Sequence, residues 1–179
     1  DIFSVTVTLL ALLSYIDKKY YKFSLLIALA VCYKLFAVFI FIPMILLAEK
    51  RIYKLIQHFI IALSLYGITT LLSLSFDAGY KMTQSLMMPY FEFYDWVFRS
   101  QLPGGVGNIS IFIFCMFVIA AIVYWLKPNE SDLVTTSVYF AGAAYISFFI
   151  FVYWHPQWVI ILLPFLLLIL CEMKSLKLG

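Results

Sequence analysis

The chain has 179 residues, of which 65% are hydrophobic and only 12% charged, and its mean hydropathy is +1.05. A soluble domain carries about 45–50% apolar and about 25% charged residues. A water-soluble fold of this size could not bury so much apolar surface, so the composition predicts that lipid solvates it. The net charge of +3 is small and gives no indication of a nucleic-acid partner.

The apolar segments predict helices. Lipid offers no partner to backbone N–H and C=O groups, so a spanning segment is either a helix or a strand of a closed barrel. The apolar runs are continuous and do not alternate in polarity, which is typical of helices. We therefore predict an all-α fold, a polytopic transmembrane helical bundle that forms one domain over residues 1–179. The apolar runs are residues 2–16, 23–48, 55–76, 108–126, 133–154 and 158–171.

Two strongly basic turns flank the second run. They read "DKKYYK" at 17–22 and "EKRIYK" at 49–54, and the positive-inside rule places both in the cytoplasm. Residues 23–48 must then enter the membrane and return, and we predict a broken helical hairpin with its bend at Lys34, the only lysine or arginine inside an apolar run. The alternative is a single tilted span with Lys34 at mid-depth, facing the bundle.

This topology places four polar features on the outer side: Lys34, Asp1 at the start of the first helix, residues 77–107, and the turn "HPQ" at 155–157. Within that turn, His155 and Gln157 could donate hydrogen bonds to phosphate or sugar oxygens. The alternative is a tight turn in an aromatic belt, because tryptophans flank it on both sides.

In the outer segment 88–99, helical spacing places Glu92, Asp95 and Arg99 on one charged face. It predicts an amphipathic helix that lies in the interface, and the alternative makes Glu92 or Asp95 a metal or sugar ligand. "PGGVGN" at 103–108 predicts a turn before the next span, and the alternative is a backbone nest that binds phosphate.

Other polar or reactive residues are given structural roles. We expect His58 to make a contact within the bundle, and the three cysteines to be inert core residues, because their spacing fits no metal site. The cysteines are Cys32, Cys115 and Cys171.

The segment "DIFSVTVTLLALLSYIDKKYYKFSLLIALAVCYKLFAVFIFIPMILL" resembles part of the bacterial GT-C glycosyltransferases, polytopic membrane enzymes related to the mannosyltransferases. Many of these carry an Asp that opens a helix, a basic turn, and then a helix ending in "fKLqaiFllP". The matching residues here are Asp1, Lys34, Leu35, Ala37, Phe39 and Pro43, whereas Phe36 replaces a usual polar residue. "YWHPQWVIILLPF" is similar to a late membrane segment of these enzymes, and "GNISI" to an Asn-x-Ser element that opens a span.

The resemblance implies inverting transfer of a hexosyl or mannosyl group from a polyprenyl-phosphate donor, on the outer face of a bacterial plasma membrane. A lipid-phosphate leaving group needs a cation at the outer interface, and Lys34 is the lysine that the apolar runs offer. We therefore predict that Lys34 binds the donor phosphate, that His155 and Gln157 line the same outward-facing cavity, and that Asp1 orients Lys34 or contacts the acceptor. The general base would lie in a first outer loop that precedes Asp1, so we expect a fragment that lacks this loop and the N-terminal helices and is inactive alone. No cofactor is implied, and the use of a divalent metal is left open.

Two other functions compete with the transferase. The first is a transporter or a lipid or polysaccharide flippase, in which a broken helix and a buried lysine form a site at mid-membrane. The second is a membrane-anchored assembly subunit without chemistry, which leaves Lys34 unexplained. Internal inverted repeats would favour the transporter, and none is visible in the sequence.

Overall fold

A computed structural model describes the backbone of residues 2–87, 101–104, 107–152 and 158–177, and the side chains of 2–82, 110–152 and 158–171. The described residues are almost entirely helical, as predicted, apart from one short antiparallel β ladder. Asp1, His155, Gln157 and the predicted interfacial helix at 88–99 lie outside the described residues. The elements in chain order are α1 (Ile2–Ile16), α2 (Tyr20–Tyr33), α3 (Ala37–Ala48), α4 (Ile52–Phe76), α5 (Ala78–Met87), β1 (Gln101–Gly104), β2 (Gly107–Ser110), α6 (Ile111–Trp125), α7 (Leu133–Phe151) and α8 (Val159–Lys177).

The apolar run 23–48 is split into two helices, and the chain between them reverses. Helix α2 ends at Tyr33 and α3 begins at Ala37. Glu49, which follows α3, lines the same cavity as Lys19 and Lys22 at the start of α2. The two basic turns therefore lie at one end of the bundle, as the hairpin prediction requires.

The segment before α6 forms a hairpin and a helix cap. In the β ladder, Gln101 pairs with Ser110 and Gly104 pairs with Gly107, which agrees with the turn predicted at 103–108. The side-chain oxygen of Ser110 then accepts a hydrogen bond from the Ile113 N–H at 3.4 Å, so Ser110 caps α6. The serine of "GNISI" therefore opens a helix, as the sequence predicts.

The bundle has two chemically different ends. At one end, which we call the Lys34 end, Phe3 in α1 stacks on Tyr33 with ring centres 5.5 Å apart. At the other end, the basic end, lie the turns at 17–19, 49–51 and 126–132. An ion pair of 2.7 Å between Lys18 and Glu130 joins two of these turns.

The outer surface of the bundle is strongly apolar. In α4 the buried residues are Leu55, His58 and Ala62, whereas Leu71 and Phe76 are 66% and 85% exposed. Two described helices, α4 and α7, are long and apolar enough to cross a membrane, and five other apolar helices are shorter. Lipid rather than water is the solvent that such a surface favours.

Candidate substrate site at the helix break

Lys34 marks the point at which the hairpin turns. Its backbone leaves the helical region, with φ −153° and ψ 124°, while its N–H still donates to the Ala30 carbonyl at 3.0 Å. Its own carbonyl then accepts from the Ala37 N–H at 3.4 Å, where α3 begins. Residues 33–36 contain no glycine or proline, so the charge of Lys34, rather than backbone propensity, is the feature of the sequence that indicates the break.

An aromatic wall lies next to the Lys34 ammonium. The Nζ atom is 5.6 Å from the centre of the Trp158 ring, a cation–π distance. Trp158 is only 5% exposed and packs against Phe36 and Phe148, with ring centres 4.8 and 6.4 Å away. Lys34 itself is half-buried, so its charge lies between buried aromatic rings and the surface of the bundle.

The structure describes the chain neighbours of the other predicted site residues, although not those residues themselves. Trp158, which follows Gln157 directly, lies at the Lys34 end, and so does Phe3, two residues after Asp1. The predicted contributions of His155, Gln157 and Asp1 to a common site therefore stay predictions.

An apolar groove begins close to the helix break. Phe39, one turn into α3, contacts the ring of Phe36 at 6.3 Å and that of Phe112 in α6 at 5.0 Å. Phe39 and Phe112 form one part of a cavity of about 260 Å³ between α3 and α6. Sequence reasoning did not predict this groove, because it depends on how two apolar helices pack. Its lining consists of Phe39, Ile42, Phe112, Ile113, Met116, Phe117 and Ala120.

The predicted bundle contact of His58 is confirmed. His58 is only 2% exposed, and its Nδ1 lies 2.8 Å from the hydroxyl oxygen of Ser24. The centres of the His58 and Tyr21 rings are 4.6 Å apart. Ser24 also donates to the Tyr20 carbonyl at 3.1 Å. Because a serine hydroxyl has one proton, Nδ1 of His58 is then the donor to Ser24.

The electrostatics of the basic end depend on Glu49 and Lys50. Burial raises the pKa of Glu49, but the N–H groups of Arg51 and Lys50 and the ammonium of Lys54 outweigh it, so the net shift is downward. Burial, and then the charge of Lys127, lower the pKa of Lys50. The Lys50 ammonium donates to the Leu46 carbonyl at 2.7 Å and the Val123 carbonyl at 2.8 Å, and it thereby ties the end of α3 to α6.

Within the described part of the chain, no group of three or more His, Cys, Asp or Glu side chains could hold a metal ion. Comparison with models of protein families, with curated proteins and with solved structures finds no match to this chain. Its function is therefore argued from its own residues and geometry.

Proposed function

We propose that this chain belongs to a multi-pass membrane glycosyltransferase of the GT-C type, and that it binds the phosphate of a polyprenyl-phosphate sugar at Lys34. The donor would transfer a hexosyl or mannosyl group to an acceptor on the outer face of a bacterial plasma membrane. The observation that carries the proposal is the lysine at the break of the hairpin, against a buried tryptophan and at the opposite end from the basic turns.

The location in a membrane is supported by the exposed surface. Large apolar side chains are exposed along most helices, and charged side chains concentrate in the turns of the basic end. Those turns carry more basic than acidic residues, and the positive-inside rule then assigns the basic end to the cytoplasm. On this orientation the Lys34 end faces outward. The basic residues of these turns are Lys18, Lys19, Lys50, Arg51 and Lys127, and the acidic ones are Asp17, Glu49, Glu130 and Asp132.

The transfer chemistry requires a cation where Lys34 lies. The acceptor hydroxyl attacks the anomeric carbon, the bond from that carbon to the phosphate oxygen breaks, and the lipid phosphate leaves with the electron pair. An ammonium beside the departing oxygen stabilises this charge strongly where water is sparse. In the proposal, His155 and Gln157 bind oxygens of the same donor, Asp1 contacts the substrate, and the general base is not assigned to this chain.

The groove between α3 and α6 supports a lipid-linked donor rather than a soluble sugar nucleotide. It is lined by apolar side chains and is connected to the Lys34 wall through Phe39 and Phe36. A polyprenyl chain in the groove would leave its phosphate near the Lys34 end.

The proposal is tested by the binding of undecaprenyl phosphate to the purified protein in detergent micelles. We expect Lys34→Met to weaken binding by about 30-fold to several-thousand-fold, because losing a charge-assisted contact to a buried anion costs about 2–5 kcal/mol. Lys34→Arg should retain most of the affinity, and Lys127→Met is the matched control, because it removes an exposed lysine at the opposite, basic end. Equal affinity of a folded Lys34→Met protein and the wild type would refute the proposed role.

A transporter or flippase is the second candidate, because a broken helix and an apolar groove would also suit lipid translocation. The products of the reaction distinguish the transferase from the flippase. A transferase moves radiolabelled sugar from the lipid to an acceptor, whereas a flippase changes only the leaflet of an intact lipid.

A further inference from the structure

At the basic end, far from the helix break, the two basic turns enclose one open cavity of about 270 Å³. Four lysines and a single carboxylate contribute to it, together with His58. This volume is just below the range of about 300–1,000 Å³ typical of small-molecule sites. The lining residues are Lys18, Lys19, Tyr20, Tyr21, Lys22, Glu49, Lys54 and His58.

The lining charges leave the cavity open to an anion. Glu49 is already engaged by the Lys50 and Arg51 N–H groups at 3.1 and 3.0 Å and by Lys54 at 3.4 Å. Lys18 pairs with Glu130 and Lys19 pairs with Asp17, but all four side chains are more than half exposed, and such pairs contribute little and rearrange easily. Among the described residues, Lys22 takes part in no ion pair.

Two helix N-termini add to the positive potential at this end. Helix α2 begins at Tyr20 and α4 begins at Ile52, and neither receives a side-chain hydrogen bond from its N-cap residue. The first N–H groups of a helix attract anions when no cap satisfies them. His58 also lines the cavity, but its Nδ1–H is engaged with Ser24, so in its neutral form the ring offers an anion no donor there.

Apolar surface continues from the cavity along the same two helices. Leu25 and Leu29 lie one and two turns beyond Tyr21 in α2, and they are 56% and 41% exposed. Ile56 and Ile60 are similarly exposed on the neighbouring α4. A phospholipid with its phosphate in the cavity could therefore lay its acyl chains along α2 and α4.

We propose that this cavity binds the phosphate group of an anionic phospholipid from the cytoplasmic leaflet. The site is separate from the Lys34 site, and the proposal needs only the membrane location, not the transferase activity. Basic pockets between transmembrane helices are suited to lipid headgroups, and each lysine near such a surface contributes about fivefold to binding.

The test measures lipid binding without any sugar donor, so its result is independent of the transferase. Wild-type protein in detergent micelles is titrated with phosphatidylglycerol, with phosphatidylcholine and with inorganic phosphate, and bound ligand is counted by native mass spectrometry. The test variant is Lys19→Gln with Lys22→Gln, which changes two exposed cavity lysines. The matched control is Lys81→Gln with Lys127→Gln, which removes the same charge from exposed positions outside the cavity.

We expect phosphatidylglycerol to bind more tightly than phosphatidylcholine, the cavity variant to lose about 30-fold in affinity, and the control to lose little. If inorganic phosphate binds as tightly as the lipid and this binding is lost in the same variant, the phospholipid assignment is overturned and the ligand is a soluble phosphate. Equal binding of both lipids, or an equal loss in the control variant, would overturn the proposal.

Discussion

The ammonium nitrogen of Lys34 lies 5.6 Å from the centre of the Trp158 ring, although 124 positions separate the two residues in the sequence. The contact joins the break of the hairpin to the start of α8. It explains how a half-buried lysine is accommodated between apolar helices, because the face of an indole ring attracts a cation. It also places the residue after the "HPQ" turn beside the lysine that the sequence singles out.

Trp158 should be important for stability at the Lys34 end. Trp158→Leu removes ring contacts to Phe36 and Phe148 and the cation–π contact of Lys34, and we expect a loss of about 2 kcal/mol in the free energy of unfolding. Trp125→Leu is the control, because Trp125 is 84% exposed and its change should stay within about 0.5 kcal/mol. Chemical unfolding in detergent micelles measures both, and equal losses would contradict the role given to Trp158.

Glu49 should make stability depend on pH. The pKa of its carboxyl is lower in the folded protein, so its contribution is fully present above the unfolded value of about 4.3 and disappears as the pH falls through the folded value. We expect Glu49→Gln to cost about 1 kcal/mol at pH 7, and the difference from wild type to vanish in strong acid.

The unfolding midpoints of wild type and Glu49→Gln, measured from about pH 7 down to about pH 3, should show this difference shrinking as the pH falls. Glu130→Gln is the control, since Glu130 is 89% exposed and its pair with Lys18 should contribute little. A Glu49→Gln effect that is the same at every pH would show that the carboxylate charge is not its cause.

The sequence predicts the helices and the hairpin because both follow from composition along the chain. The charge of the two basic turns and the position of Lys34 are enough to predict a reversal within residues 23–48. The sequence does not predict the partner of Lys34 or the groove at Phe39 and Phe112, since apolar positions look alike before the helices pack. The cavity at the basic end is not predicted from the sequence for a related reason. Charge places both basic turns on one side of the membrane, but it does not show that the two turns lie next to each other.

The close approach of α7 and α8 gives a prediction with a built-in rescue. A methyl group on Gly142 would lie 2.5 Å from Cδ1 of Ile169 but 3.7 Å from its Cγ1. Cδ1 is the far end of a flexible side chain, so Gly142→Ala alone should force Ile169 to rotate at a small cost, and Ile169→Val, which deletes Cδ1, should remove that cost. We expect a favourable coupling of about 0.5 kcal/mol in the double-mutant cycle of unfolding free energies, and additive effects would contradict the prediction.

The central claim is that the basic turns lie on the cytoplasmic side and the Lys34 end on the outer side. Cysteine accessibility tests it most directly, with Lys19→Cys, Arg51→Cys and Leu35→Cys placed singly in a background lacking the native cysteines. An impermeant maleimide should label position 35 in intact cells, and positions 19 and 51 only in inside-out vesicles. Labelling of positions 19 and 51 from opposite faces of the membrane would contradict the hairpin, and with it the outward-facing Lys34 site.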